Sequence, residues 1–247
     1  MQKFSLIAKV YITAVAATGL AVLVNGLLHG QSRSPLELLA LLAMTLMATR
    51  LKVKLPGANG TMSMNVPFLL FVAVRLSSSE AVLVAAVAGL VQSLPLAQRK
   101  TSLVQGVFNS AIITSAVAAA ALSYSFATHR GLALALAVAL AGAAFFLVNT
   151  ILMAGVLWLA EGQHLLQTWL GMARLSVPYY ILSAGVAAVI CTATQFATYA
   201  EALALLPLMY SVYSSYRVYF KAAAEIEVKS MVHMAAAVQA SGSAALN

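Results

Sequence analysis

The sequence predicts an all-α, polytopic membrane bundle, and three observations predict it. Hydrophobic residues make up 62% of the 247 residues and charged residues 8%, against about a quarter charged in an ordinary soluble domain. The mean hydropathy is +0.94, so too few charges remain to cover a water-facing surface. The chain has six acidic residues, and three of them stand fourth in a helix-start signature: Ser34-Pro-Leu-Glu37, Ser77-Ser-Ser-Glu80 and Thr198-Tyr-Ala-Glu201. In each, the hydroxyl accepts from the first free backbone N–H groups and the carboxylate reaches back to the cap residue. Each signature opens a long apolar run, and little acid is left for chemistry inside the helices.

A membrane span needs about 20 apolar residues, fewer where neighbours bury it. Eight apolar segments follow along the chain, at 6–29, 35–51, 62–76, 78–96, 103–127, 132–160, 175–196 and 199–219. The first follows Lys3 and Lys9 and is read as a signal anchor retained as a helix, because further spans follow it. The third and fourth are short, and only a few residues (Arg75-Leu-Ser-Ser-Ser-Glu80) join them. They are either two thin spans or one re-entrant hairpin. Between the second and third, Lys52 to Thr61 carries Pro-Gly and Asn-Gly turn signals. Between the sixth and seventh, Leu165, Leu166, Trp169, Leu170 and Met172 recur at helical spacing, which predicts a separate amphipathic helix over 161–174 in the inner interface.

Charge sets the expected orientation. With the N-terminus inside, eleven Lys and Arg residues fall on the cytoplasmic side and three (Arg33, Arg75, Arg130) on the outer side. Both termini are therefore expected in the cytoplasm. The domain division expected is a transmembrane bundle over 1–219 and a cytoplasmic linker helix with a frayed tail over 220–247. In the latter, Ala224, Val228, Met231, Ala235 and Val238 step by four and three, a short coiled-coil seam through which a homodimer would form. Tyr210, Tyr213, Tyr216 and Tyr219 read as an aromatic belt.

The same residues exclude several function classes. The net charge of +8 suits short cytoplasmic loops against anionic lipid, not nucleic acid, since no basic run with interleaved aromatics occurs. The lone Cys191 gives no disulfide framework and no metal-type spacing. No Asp, Glu or His falls mid-membrane, so no metal site, cofactor or acid–base pair is expected, and catalysis is not expected. What remains are the intramembrane polar residues Asn25, Gln92, Gln105, Asn109, Asn149, Tyr179 and Tyr180. Amides in a bundle either bond neighbouring helices or bind a ligand. Pro178-Tyr-Tyr180 adds backbone freed by proline that could line a cavity. Gln105, Asn109, Asn149, Tyr179 and Tyr180 form the candidate ligand-binding set.

The runs Leu55-Pro-Gly-Ala-Asn-Gly-Thr-Met-Ser-Met-Asn-Val-Pro-Phe68, Leu76-Ser-Ser-Ser-Glu-Ala-Val-Leu83 and Gly89-Leu-Val-Gln-Ser-Leu94 carry a resemblance, as do Val107-Phe-Asn109, Phe146-Leu-Val-Asn-Thr150, Pro178-Tyr-Tyr180 and Leu206-Pro-Leu-Met-Tyr210. Over most of residues 40–220 the chain resembles the N-terminal membrane module that precedes HD-GYP or GGDEF domains in bacterial cyclic-di-GMP signalling proteins. None of these strings is a catalytic signature, and neither an HD pair nor a GGDEF string occurs in the sequence. The resemblance implies a multi-pass sensory or anchoring module of the cell inner membrane, relaying a signal through its C-terminal helix to an output domain that is absent here or supplied by a partner. The rival expectation is a small-molecule binding or transport protein similar to the substrate-capture component of vitamin-uptake systems. A sensor predicts that the C-terminal helix matters and dimerises, and a transporter that it is dispensable. A transporter predicts a polar cavity around Asn109, Asn149 and Tyr180, and a pure anchor predicts that these amides bond neighbouring helices.

Overall fold

The computed structural model describes residues 5–29, 35–54, 61–94, 103–162 and 164–193, with six single positions between 210 and 221. Its elements run α1 (Leu6–His29), α2 (Pro35–Arg50), β1 (Lys52–Lys54), β2 (Thr61–Ser63), α3 (Val66–Arg75), α4 (Ser78–Ser93), α5 (Leu103–His129), α6 (Leu134–Glu161) and α7 (Leu165–Ala193). The first seven expected segments each appear as a helix. The eighth, over 199–219, and the linker helix over 220–247 lie outside the described residues apart from those six positions. Among the described residues four helices, not eight, are long and apolar enough to cross a membrane: α1, α5, α6 and α7. The other three are too short, because 16 and 10 residues rise only about 24 and 15 Å.

α3 sits at the centre and packs against α2, α4, α5, α6 and α7. Residues Val66 to Ala73 are all buried. α2 and α3 run antiparallel: Arg75 Nε donates to Glu37 Oε1 at 2.7 Å at one end, and Asn65 Nδ2 donates to Thr49 Oγ1 at 3.0 Å at the other. α1 stands outside this ring, on α4, α5 and α6, and leaves Leu6, Ile7, Val10, Leu20 and Leu28 exposed as a lipid-facing surface.

Small residues let the helices approach. A side chain at Gly89 would strike the backbone of Ser110, and Ser110 Oγ donates across the same contact to Ala86 O at 2.8 Å. Gly19 meets Ala111 where α1 crosses α5, and Gly26 meets Val82 on α4. The turn from α5 to α6 is set by Gly131, at φ +73. There Leu132 N donates to Ala127 O and Gly131 N to Thr128 O, a Schellman closure that needs the left-handed residue. Gly162, at φ +69, ends α6.

One expectation about local structure changes. The stretch 161–174 does not form a separate interfacial helix; from Leu165 it is the first third of one continuous 29-residue helix. No proline falls between Leu165 and Val177, and Trp169 Nε1 donates to Thr150 Oγ1 on α6 at 3.0 Å, which holds this third on the bundle. The turn signals after α2 fall at 55–60, outside the described residues, and two antiparallel strands flank them, with Lys52 opposite Ser63, Val53 opposite Met62 and Lys54 opposite Thr61.

The cap at Ser77 forms as the sequence predicts. Ser77 N donates to Glu80 Oε2 at 3.1 Å, Glu80 N to Ser77 Oγ at 3.4 Å, and Ser77 Oγ to Glu80 Oε2 at 2.7 Å. The caps at Ser34 and Thr198 lie outside the described residues. Ser77→Ala removes the acceptor and is expected to cost about 1 kcal/mol, read as a lower unfolding midpoint in detergent; an unchanged midpoint would show that Glu80 alone holds the helix start.

Candidate functional site

The centre of the bundle contains backbone that is not helical. α3 begins only at Val66, and the chain reaches it through β2 and the turn at Met64–Asn65. Ser63, Met64 and Asn65 are 4%, 0% and 2% exposed, so water cannot satisfy their backbone groups. Irregular backbone inside a membrane protein persists where protein groups replace that water.

The Tyr179 hydroxyl and the Leu51 carbonyl do so, and the Ser63 and Asn65 side chains tie the segment to Thr49. Tyr179, fully buried near the middle of α7, donates its hydroxyl to Ser63 O at 3.2 Å and accepts from Val66 N at 3.2 Å. One oxygen thus closes both sides of the break. Ser63 Oγ donates to Thr49 O at 3.2 Å, and Asn65 donates to Thr49 Oγ1 as above. Thr49 Oγ1 in turn donates to Thr45 O, and Thr45 Oγ1 to Leu41 O, both at 2.7 Å. Met64 N donates to Leu51 O at 3.0 Å. The break is therefore held between the C-terminal turns of α2 and the middle of α7.

Lys52, in β1, reaches the C-terminus of α4 and donates to Gln92 O and Leu94 O. A cation there meets the unpaired carbonyls and the negative end of the helix dipole. Burial, and then the Arg50 charge, hold its ammonium below the ordinary lysine value. Glu80 lies in the first turn of the same helix, so α4 carries a complementary charge at each end.

Of the five residues expected in a ligand site, three come together. Asn149 Nδ2 donates to Tyr180 Oη at 2.7 Å. The Tyr180 ring lies 5.8 Å from that of Tyr179 and 5.0 Å from that of Phe146. Asn109 lies apart: it donates to Ser93 Oγ on α4 at 3.0 Å, and Ser93 Oγ donates to Gly89 O at 3.0 Å. Gln105 is exposed near the start of α5. Thr49, Ser63, Asn65 and Lys52 were not in the expected set. The signal for Asn65 was present in Asn65-Val-Pro67, a polar residue before a helix with proline in its first turn. The others depend on which strands and helices meet.

Fold and centre together define a helical membrane protein built round a discontinuous, protein-satisfied segment. A family model described as MASE9, a family of membrane-associated sensor domains, matches residues 34–221, and the chain belongs to that family. No curated protein and no solved structure matches it.

Proposed function

We propose that this chain is a sensory and anchoring module of the bacterial inner membrane, without catalysis of its own, that relays changes in helix packing through its C-terminal helix to an output domain of cyclic-di-GMP signalling. The observation that carries the reading is the extent of the family match, which runs through the last apolar segment to Lys221. The arrangement of the polar residues supports it. Asn109 and Asn149, the two amides on which a transporter reading most depended, donate to Ser93 of α4 and Tyr180 of α7, as expected of a packed anchor rather than of a transporter's polar cavity.

The test joins residues 1–240 in frame to a cyclase domain and inserts one, two, three or four residues after Lys229. A helix turns about 100° per residue. Cyclic-di-GMP made in cells is therefore expected to fall and recover with a period of about 3.6 insertions. Output that is flat across the series would overturn the relay and leave an anchor. Accumulation of a small solute by the unfused chain, undiminished after removal of 221–247, would instead favour substrate capture.

A further inference from the structure

We infer that the Tyr179 hydroxyl is a latch that couples the discontinuous centre of the bundle to a hinge in α7 at Pro178. The inference rests on the sensor reading for its purpose, though its geometry stands without it.

Three features mark the hinge. Pro178 lies inside α7 and has no N–H for the carbonyl of Arg174, so the ladder is open at that turn. Ser176 Oγ donates to Met172 O and Ser183 Oγ to Tyr179 O, both at 2.7 Å. Serines that bond back to the preceding turn loosen and bend helices, and these two bracket the proline. A bend in a helix needs an identifiable cause, and α7 carries three within eight residues.

The two tyrosines that follow the hinge hold different partners. Tyr180 is tied to Asn149 on α6, a long uninterrupted helix with which α7 is paired. Tyr179 is tied to the backbone on both sides of the break before α3. Neighbouring residues on a helix point about 100° apart, so one turn of α7 grips a long scaffold helix and a short central one at once. The central partner is the one whose backbone is interrupted. It is ten residues long, it is joined to an extended strand, and that strand pairs with β1, whose Lys52 reaches the end of α4. A displacement of the hairpin draws on Ser63 O and Val66 N, and Tyr179 transmits it to the residues just beyond the proline. From there α7 leads in sequence toward 199–219 and the C-terminal residues. Such an element, with a bonded and a released arrangement, is what a packing signal can bias.

The test uses the full chain in lipid nanodiscs and reads backbone hydrogen exchange. Tyr179→Phe keeps the ring and removes the hydroxyl, leaving a buried donor and acceptor without their partner. Exchange over 61–70 is expected to rise on the order of tenfold to a hundredfold, and exchange over 174–186 to rise at least severalfold with it. Adding Pro178→Ala closes the α7 ladder, so protection over 174–186 is expected to return while 61–70 stays fast. A rise confined to 61–70, or a failure of Pro178→Ala to restore 174–186, would overturn the coupling and leave Tyr179 a local cap. If Tyr179→Phe does not fold, Pro178→Ala alone decides. Slower exchange over 174–186 with 61–70 unchanged is expected, and no change over 174–186 would remove the hinge. These readings need no stimulus and no output domain. Loss of the latch with a periodic insertion series would leave the sensor reading standing, and an intact latch with a flat series would leave the latch without a relay.

Discussion

A valine at Gly89 forces α4 and α5 apart and costs about 3 kcal/mol, enough to deplete the folded protein. The size follows from what the new side chain meets. A Cβ at Gly89 lies 2.5 Å from Ser110 Cα and 3.1 Å from Asn109 O, and backbone atoms have no other rotamer to take. Separation also breaks the Ser110 bond to Ala86 O and the Asn109 bond to Ser93. In lipid no hydrophobic force draws parted helices back, because the acyl chains are as apolar as the residues, so close packing and these bonds supply the attraction. Gly185→Val is the matched control. Gly185 has nothing within 4 Å of its own added Cβ, and the change is expected to stay within about 0.5 kcal/mol. Unfolding midpoints of both variants in one detergent check the pair, and equal midpoints would contradict the close approach.

Phe68→Ala is the second large effect. Phe68 lies in the first turn of α3 at 2% exposure, in a helix packed against five others, so its removal leaves a cavity that the surrounding helices fill only in part. In a soluble core such a deletion costs roughly 3–5 kcal/mol, part from transfer out of water and part from the cavity. Inside a bilayer the transfer part largely vanishes and the lost contacts remain, which sets the expectation at about 2–3 kcal/mol. Phe126 gives the contrast. It is 63% exposed, with the Arg130 guanidinium 5.1 Å from its ring centre, and Phe126→Ala should cost no more than about 1 kcal/mol. Reversible unfolding in mixed micelles measures both, and a ratio near one would show that α3 is not the packed centre.

How much of this was legible in the sequence varies with the range of the interaction. The cap at Ser77 was legible because four consecutive residues contain both its partners. The helices α1, α5 and α6 were legible because their apolar runs alone exceed a bilayer's thickness. The break before α3 was not, since Thr61–Asn65 and Val66–Arg75 differ in backbone rather than in hydropathy and read as one run over 62–76. Tyr179 stood out as a polar group beside a proline, yet its partners lie 113 and 116 residues away, and no local pattern encodes that separation. Lys52 read as a loop cation under the charge rule. Its place on the end of α4 follows from the register of a hairpin three residues long on each side. The fusion of 165–174 into α7 was missed because the change from mixed to apolar composition at Leu175 marks a change in surroundings, not a helix end.

The unequal helices also give the molecule an uneven rim. α2 reaches only about 24 Å and still presents Leu36, Leu39 and Met47 outward, whereas α6 and α7, at 28 and 29 residues, rise more than 40 Å. Lipids beside α2 must shorten or tilt against a hydrocarbon layer of about 30 Å, while those beside α6 and α7 need not, at a cost of fractions of a kcal/mol per Å of mismatch. A bilayer of that thickness is expected to thin beside α2 and not beside α6 and α7. Acyl-chain length becomes a variable that acts on the same flank as the β1–β2 hairpin, and thin bilayers relax a deformation that thick ones tighten.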